Sequence, residues 1–272
     1  MCMKNFIFIF ICISLACMMI VSNMQPTKIS HAGSDTKPML ALVIDDFGGY
    51  DRSGVETMLS IGAPLTCAVM PLCENSKEDA ARAKEHGHEV ILHMPMEAHI
   101  KLPDSWYGNI CIRNYDNEES VTKKLDTAIE SMGEVKGANI HIGSGVSRNP
   151  RLMKAIYDYM KRKNMFFLDS RTIVSNVCEE YCASNHMAYL GRDVFLEADK
   201  NKSYGAVLRN LQEACDKAKE QGYSVAIGHV GAEGGENTAR AIRDMLPKIQ
   251  EMGIEIVPLS KIYERINTTK NI

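Results

Sequence analysis

The sequence has no surplus of basic residues. Its 31 lysines and arginines face 34 aspartates and glutamates, a formal net charge of −3. Setting aside the first 32 residues with Lys4 and Lys28 leaves 29 bases against 34 acids, or −5. Nucleic acid is therefore not an expected partner, because affinity for a phosphate backbone rests on clustered Lys and Arg. No G-x-x-x-x-G-K-[ST] run is present, so Val43-Ile44-Asp45-Asp46 does not read as a nucleotide-hydrolase strand. The glycines around Gly228-His229-Val230-Gly231 and Gly234-Gly235 match no dinucleotide fingerprint. His88-Glu89…His93 is one residue too long for a helical zincin motif. Ser144, His229 and Asp169 have the residue types of a serine-hydrolase triad, but Ser144 lacks a nucleophile elbow. There is no repeat of fixed period and no domain-sized linker inside the chain.

What is present fits a folded protein: 45% hydrophobic and 24% charged residues. At this length a chain buries roughly three quarters of its unfolded surface, so a disulfide framework is not required. Six cysteines lie beyond the N-terminal segment: Cys67, Cys73, Cys111, Cys178, Cys182 and Cys215. Cys178 and Cys182 have helical i,i+4 spacing, yet no second ligand pair lies nearby, and a structural role is the better reading. Phe6–Val21 is apolar apart from Ser14 and follows Lys4, as in an export signal or an uncleaved membrane anchor. Ser30-His31-Ala32 carries small residues at cleavage-defining positions. Cys17 is not read as a lipidation site, because Ser14 stands where a lipobox has Leu. The expected plan is a signal peptide or anchor over 1–32, a linker over 33–38, one domain over 39–266 and a short tail over 267–272. The location expected is periplasmic or otherwise extracytoplasmic, with membrane association through the N-terminal segment.

From Met39 onward, short Val/Ile/Leu-rich runs alternate with amphipathic segments. The runs are Met39–Ile44, Leu65–Met70, Glu89–Leu92, Ala138–Ile142, Met165–Leu168, Ala188–Leu190, Val225–Ile227 and Glu255–Val257. Little polar alternation interrupts them, as in parallel strands buried on both faces. Helices are expected over Ser76–Glu85, Glu118–Met132, Arg151–Lys163, Tyr204–Gln221 and Glu236–Met252, the last kinked or divided at Pro247. This βα alternation predicts a single α/β domain, a distorted (β/α) barrel of about seven parallel strands. A doubly wound open sheet is the alternative.

The strands end on charged and polar residues: Asp45-Asp46 after the first, His93 after the third, His141 in the fourth, Asp169-Ser170 after the fifth. Arg192-Asp193 follows the sixth, and His229 ends the seventh. Carboxyl ends of parallel strands share one face, where sites are built. Mixed Asp and His groups there suit zinc or another divalent first-row cation. Two adjacent acids can divide the work, one holding the cation while the other reaches an attacking water. Gly48-Gly49 would let backbone or substrate approach closely.

These same residues resemble the divergent bacterial branch of the polysaccharide deacetylase superfamily. The similarity runs through Val43–Asp46, Gly87–Glu97, Asn139–Ser144, Phe166–Thr172, Arg192–Leu196 and Ala226–His229. It implies a distorted (β/α) barrel and metal-dependent removal of acetyl groups from an acetylated glycan. It implies Asp45 as general base, His229 as general acid and Asp169 as the residue that orients His229. For the cation it implies Asp46, His93 and His141, the last in place of the usual second histidine, whose position is occupied by Glu97. Glu97 is then a fourth ligand or a substrate contact. Asn139, Ser144, Ser170, Arg171, Arg192 and Asp193 are further candidate substrate contacts, with Arg171 or Arg192 standing for the family's usual arginine motif. Trp106 lies in a long loop after His93, where it would stack on a sugar or pack on the barrel rim. Hydrolysis of another bond, such as a phosphoester, and glycan binding without turnover are the competing functions.

Overall fold

The computed structural model describes residues 37–198 and 202–270 of the 272-residue chain. The predicted signal or anchor lies outside the described residues. Among the described residues eight strands, all parallel, are present: β1 (Met39–Phe47), β2 (Thr66–Val69), β3 (Glu89–Met96), β4 (Gly137–Ile142), β5 (Phe166–Phe167), β6 (Val194–Phe195), β7 (Tyr223–His229) and β8 (Glu255–Ile256). Between and after them run α1 (Val55–Leu59), α2 (Ser76–Glu85), α3 (Glu118–Glu130), α4 (Pro150–Arg162), α5 (Val177–Ser184), α6 (Tyr204–Gln221), α7 (Gly235–Glu251) and α8 (Leu259–Lys270). The order across the sheet is β5-β4-β3-β2-β1-β7-β6, with β8 beside the start of β1. Seven of these strands form a curled half-barrel within a single α/β domain. No helix among the described residues is long and apolar enough to cross a membrane.

The curl sorts alternate residues of each strand into two cores. Leu40, Leu42, Ile44, Val90, Leu92, Ala138 and Ala226 pack in one cluster with Leu152, Leu211 and Ile242 of the helices. Ala41, Val43, Ile91, Phe166, Leu168, Val225 and Ile227 form the other, inside the curl. Side chains alternate along a strand, so Asp45, His93, Asn139, His141 and His229 continue the inner set toward the carboxyl ends. Both faces being apolar is the reason the period of two is hidden in the sequence.

Three expectations change. The sixth strand is Val194–Phe195, not Ala188–Leu190. The run before it makes a single bridge, Asp169 to Gly191, and the chain then changes partners, with Asp193 N–H donating to the Val225 carbonyl. Helix α7 runs through Pro247 without dividing. Three helices were not anticipated: α1, α5, and α8, which continues past position 267 into the supposed tail.

Candidate functional site

Alternation alone would send adjacent Asp45 and Asp46 to opposite sides of the sheet. Asp46 instead has φ 70, a left-handed backbone that L residues adopt at a cost. The turn swings its carboxylate to the same mouth as that of Asp45. Ile142 (φ 64), directly after His141, and Arg171 (φ 48), directly after Ser170, repeat this device. Such strain costs of order 1–3 kcal/mol per residue and is retained where it positions a site. Gly48 (φ 85) serves backbone approach: its N–H donates to Asp79 Oδ2 at 2.7 Å, and a Cβ there would lie 3.0 Å from the Met70 carbonyl oxygen.

The structure brings Asp46, His93 and His141 together. Asp46 Oδ1 is 3.3 Å from His93 Nε2 and 3.3 Å from His141 Nδ1, and the two nitrogens are 3.1 Å apart. Tetrahedral ligands at about 2.0–2.1 Å from zinc sit about 3.3 Å from one another, so these atoms fit one face of such a site. Asp46 Oδ1 is buried and makes no hydrogen bond; an unsatisfied buried oxygen is costly, and a cation would satisfy it. Burial alone would raise the Asp46 carboxyl, but the two imidazoles hold it well below the usual carboxylate range. Burial works against a charged His93, yet Asp45 and Asp46 outweigh it and raise that ring above its ordinary value. A cation bound here would therefore compete with a proton.

Both histidines are locked by their other nitrogen. Asn139 Nδ2 donates to Asp45 Oδ1 at 2.7 Å, and a carboxylate can only accept. The amide oxygen is thus turned to His93 Nδ1, 2.7 Å away, and Nε2 keeps its lone pair for a cation. Asn139, expected as a substrate contact, is fully buried and bridges Asp45 and His93. His141 Nε2 lies 3.0 Å from the Trp106 carbonyl oxygen, to which it donates, leaving the Nδ1 lone pair open to a cation. Such partners fix ring orientation and tautomer.

On the opposite wall stands His229, its Nε2 3.9 Å from Asp45 Oδ2. The acid that orients it is Glu197, not Asp169. Glu197 Oε2 is 3.0 Å from His229 Nδ1, while Oε1 accepts from the His229 N–H at 3.0 Å and from Thr238 Oγ1 at 2.5 Å. Sheet register explains the pairing. Phe195 of β6 is opposite Ile227 of β7, so two residues on, Glu197 meets His229. Asp169, two residues past β5 at the far end of the strand order, spends its oxygens locally: Oδ1 accepts from Arg171 N–H at 2.8 Å and Oδ2 from the Tyr189 hydroxyl at 3.0 Å. Glu197 closes an apolar run, Val194-Phe195-Leu196, and that was the sequence signal available for it. Burial would lower the His229 ring, but Glu197 and Asp45 lift it to about 9. Burial pushes the Asp45 carboxyl above its ordinary value, against the pull of His93 and His229.

A cavity of about 310 Å³ opens between these walls, lined by Asp45, His93, His141, Ser170, Arg171, Arg192, Phe195 and His229 among others. Arg192 lies over the Phe195 ring and donates to the Ser170 and Arg171 carbonyls. Three expected contacts are elsewhere. Asp193 precedes β6 instead of ending a strand, and its Oδ2 accepts from Val225 N–H at 2.9 Å. Ser144 Oγ is engaged by His99. Glu97 follows the last residue of β3 and turns away, accepting from Asn114 N–H and Nδ2 at 2.8 and 2.9 Å; it is not part of the ligand group. Cys178 and Cys182 are buried on α5, and neither belongs to the metal-ligand group.

The model of the divergent polysaccharide deacetylase family matches residues 42–263. The chain belongs to that family. An uncharacterized protein of Haemophilus influenzae is 28% identical over 205 residues, 75% of this chain and 70% of its own length. Uncharacterized protein YibQ of Escherichia coli is 30% identical over 190 residues; the match covers 70% of this chain but only 58% of YibQ. Among solved structures, uncharacterized protein ATU2773 of Agrobacterium tumefaciens superposes with a TM-score of 0.74 at 18% identity, covering 85% of this chain and 91% of that one. The Bc1960 peptidoglycan N-acetylglucosamine deacetylase superposes at 0.54 and 15% identity over the same shares. A mutant of BA3943, a CE4 family pseudoenzyme with restored activity, also gives 0.54, at 14% identity, over 84% of this chain and 68% of that one. The fold is thus shared by one protein described as a peptidoglycan deacetylase and by one described as a pseudoenzyme.

Proposed function

We propose that the protein is a metal-dependent hydrolase that removes acetyl groups from N- or O-acetylated cell-envelope carbohydrate, with zinc as the cation. Residues 1–32 deliver it to, or anchor it in, an extracytoplasmic compartment. The observation that carries the reading is the convergence of two imidazole nitrogens on an unsatisfied Asp46 oxygen, flanked by the buried Asp45 carboxyl and the His229 imidazole. A bound divalent cation would supply Lewis-acid polarisation of the acyl carbonyl and make the attacking water more acidic. Asp45, held through Oδ1 by Asn139, takes the proton of that water with its remaining oxygen. His229, protonated at neutral pH and held through Nδ1 by Glu197, gives the Nε2 proton to the departing amine or alcohol as the acyl bond breaks. Arg171, Arg192, Ser170 and Phe195 shape the cavity that receives the acetylated sugar.

Acetate release from a panel of acetylated oligosaccharides, with chelator-treated protein resupplied with zinc, cobalt or nickel, tests this. Metal-dependent release that His229→Ala abolishes is the expected outcome. Tight glycan binding by metal-loaded wild type with no acetate release would establish the second reading, a binding protein, which the pseudoenzyme on the same fold favours.

A further inference from the structure

The loop between β3 and α3 holds a contact that the hydrolytic scheme leaves unused. His141 is the more exposed of the two histidines, 20% against 2% for His93; its Nε2 is tied to the backbone carbonyl of Trp106. That carbonyl belongs to a 3₁₀ turn, Asp104–Tyr107, remote in sequence from β4. The position of one loop carbonyl thus decides which nitrogen of His141 faces Asp46 and His93.

The turn is anchored from below. Tyr107 is buried, 1% exposed, and its hydroxyl accepts from Ala98 N–H at 3.1 Å. Arg113 lies over the Tyr107 ring, 4.5 Å from its centroid, while its guanidinium reaches Asp104 at 2.8 Å and Glu97 at 3.7 Å. Glu97 in turn receives two hydrogen bonds from Asn114. Isolated surface ion pairs contribute little to stability. Here the pairs bracket a guanidinium stacked on a buried ring, and the residue fixed is the neighbour of the one that orients the ligand.

The geometry points to the 97–114 loop as a positioning element of the cation site: Tyr107 and Arg113, clamped by Glu97 and Asp104, hold the Trp106 carbonyl so that His141 presents Nδ1 to the cation. The inference rests on reading Asp46, His93 and His141 as ligands. It gives Glu97 a positioning role, acting through Arg113 and not by contact with the cation or the sugar.

The test is cobalt(II) binding to full-length protein, followed by its visible absorption and by competition with a chromophoric chelator. Ring-nitrogen NMR of His141 in the metal-free protein is measured alongside. Wild type is expected to bind one cobalt and to carry the His141 proton on Nε2. Arg113→Met should weaken cobalt binding by about 10- to 100-fold, the usual range for partners that orient a ligand, and alter the absorption band. Arg113→Lys should restore much of the affinity. Tyr107→Phe keeps the ring, removes the bond to Ala98, and serves in place of Arg113→Met if that variant does not fold; it should weaken binding several-fold. Equal affinity and an unchanged band in Arg113→Met and Tyr107→Phe, or a wild-type His141 protonated on Nδ1, would overturn the proposal. A wild type that binds no cobalt would instead overturn the reading of the ligands.

Discussion

The two walls of the cavity handle their imidazoles in opposite ways. On the β3–β4 wall, neutral oxygens accept from the outer nitrogens of His93 and His141, and the inner nitrogens meet a carboxylate oxygen with no hydrogen bond. On the β6–β7 wall, a buried carboxylate accepts from the outer nitrogen of His229 and is itself saturated by Thr238 and a backbone N–H. A neutral acceptor fixes a tautomer without adding charge; an ionic one also stabilises the imidazolium. The first wall leaves the Asp46 oxygen without a hydrogen bond, as a cation site would, and the second has its carboxylate fully partnered. Asp45 touches both, through Asn139 on one side and toward His229 on the other.

The largest effect should come from removing the first wall. Asp46→Ala or His93→Ala is expected to drop bound zinc from one per chain to background and to lower acetate release by on the order of 10³-fold or more. Elemental analysis of purified protein reads this directly. Full zinc occupancy in both variants would mean that the two walls do not differ as described. Next in size, His229→Ala should keep its zinc and lose about 10²- to 10⁴-fold in turnover, the range of a general acid. Loss of zinc from that variant would merge the walls into one unit.

Much of this division was legible in the sequence, for a physical reason. A run such as Leu40–Ile44 excludes charge, so a carboxylate or imidazole at its end stands out, and parallel strands deliver such ends to one face. Asp45, Asp46, His93, His141 and His229 were found that way. Parity was not legible, since both faces of each strand are apolar, and nothing in Asp45-Asp46 announces the left-handed turn at Asp46. Register was not legible either. Placing the sixth strand at Ala188–Leu190 made Asp193 a strand end and left Glu197 unnoticed, although only the β6–β7 pairing decides which acid meets His229. The Trp106 carbonyl is beyond any residue-type argument, because every residue has one.

A third effect isolates the ionic partner. Glu197→Gln keeps the shape and an acceptor but removes the charge, so His229 should fall from about 9 toward its ordinary 6.5. A general acid acts while protonated; the alkaline limb of kcat/KM, near pH 9 in wild type, should move down by one to two units, roughly. Stability moves with it. A folded-state value above the unfolded one contributes stability that is complete below pH about 6.5 and lost as the pH rises through about 9. Between those limits the wild type should lose stability with rising pH, and the variant should lose much less. Denaturant titrations at pH 6 and pH 9.5 measure this, and parallel curves for both proteins would remove Glu197 from its role.

The smallest effect falls on the acid first expected to do that work. Asp169→Asn retains an oxygen to accept from the Arg171 N–H, and an amide that can meet the Tyr189 hydroxyl, so the fold should persist. Its carboxylate supports the left-handed turn at Arg171, which lines the cavity, and does not contact His229. The alkaline limb should therefore stay where the wild type has it, with a few-fold change carried by KM more than by kcat. A limb displaced as far as in Glu197→Gln would show that the Asp169 charge, just past β5, reaches His229 across the cavity, and the assignment of a single orienting acid to the β6–β7 wall would then be wrong.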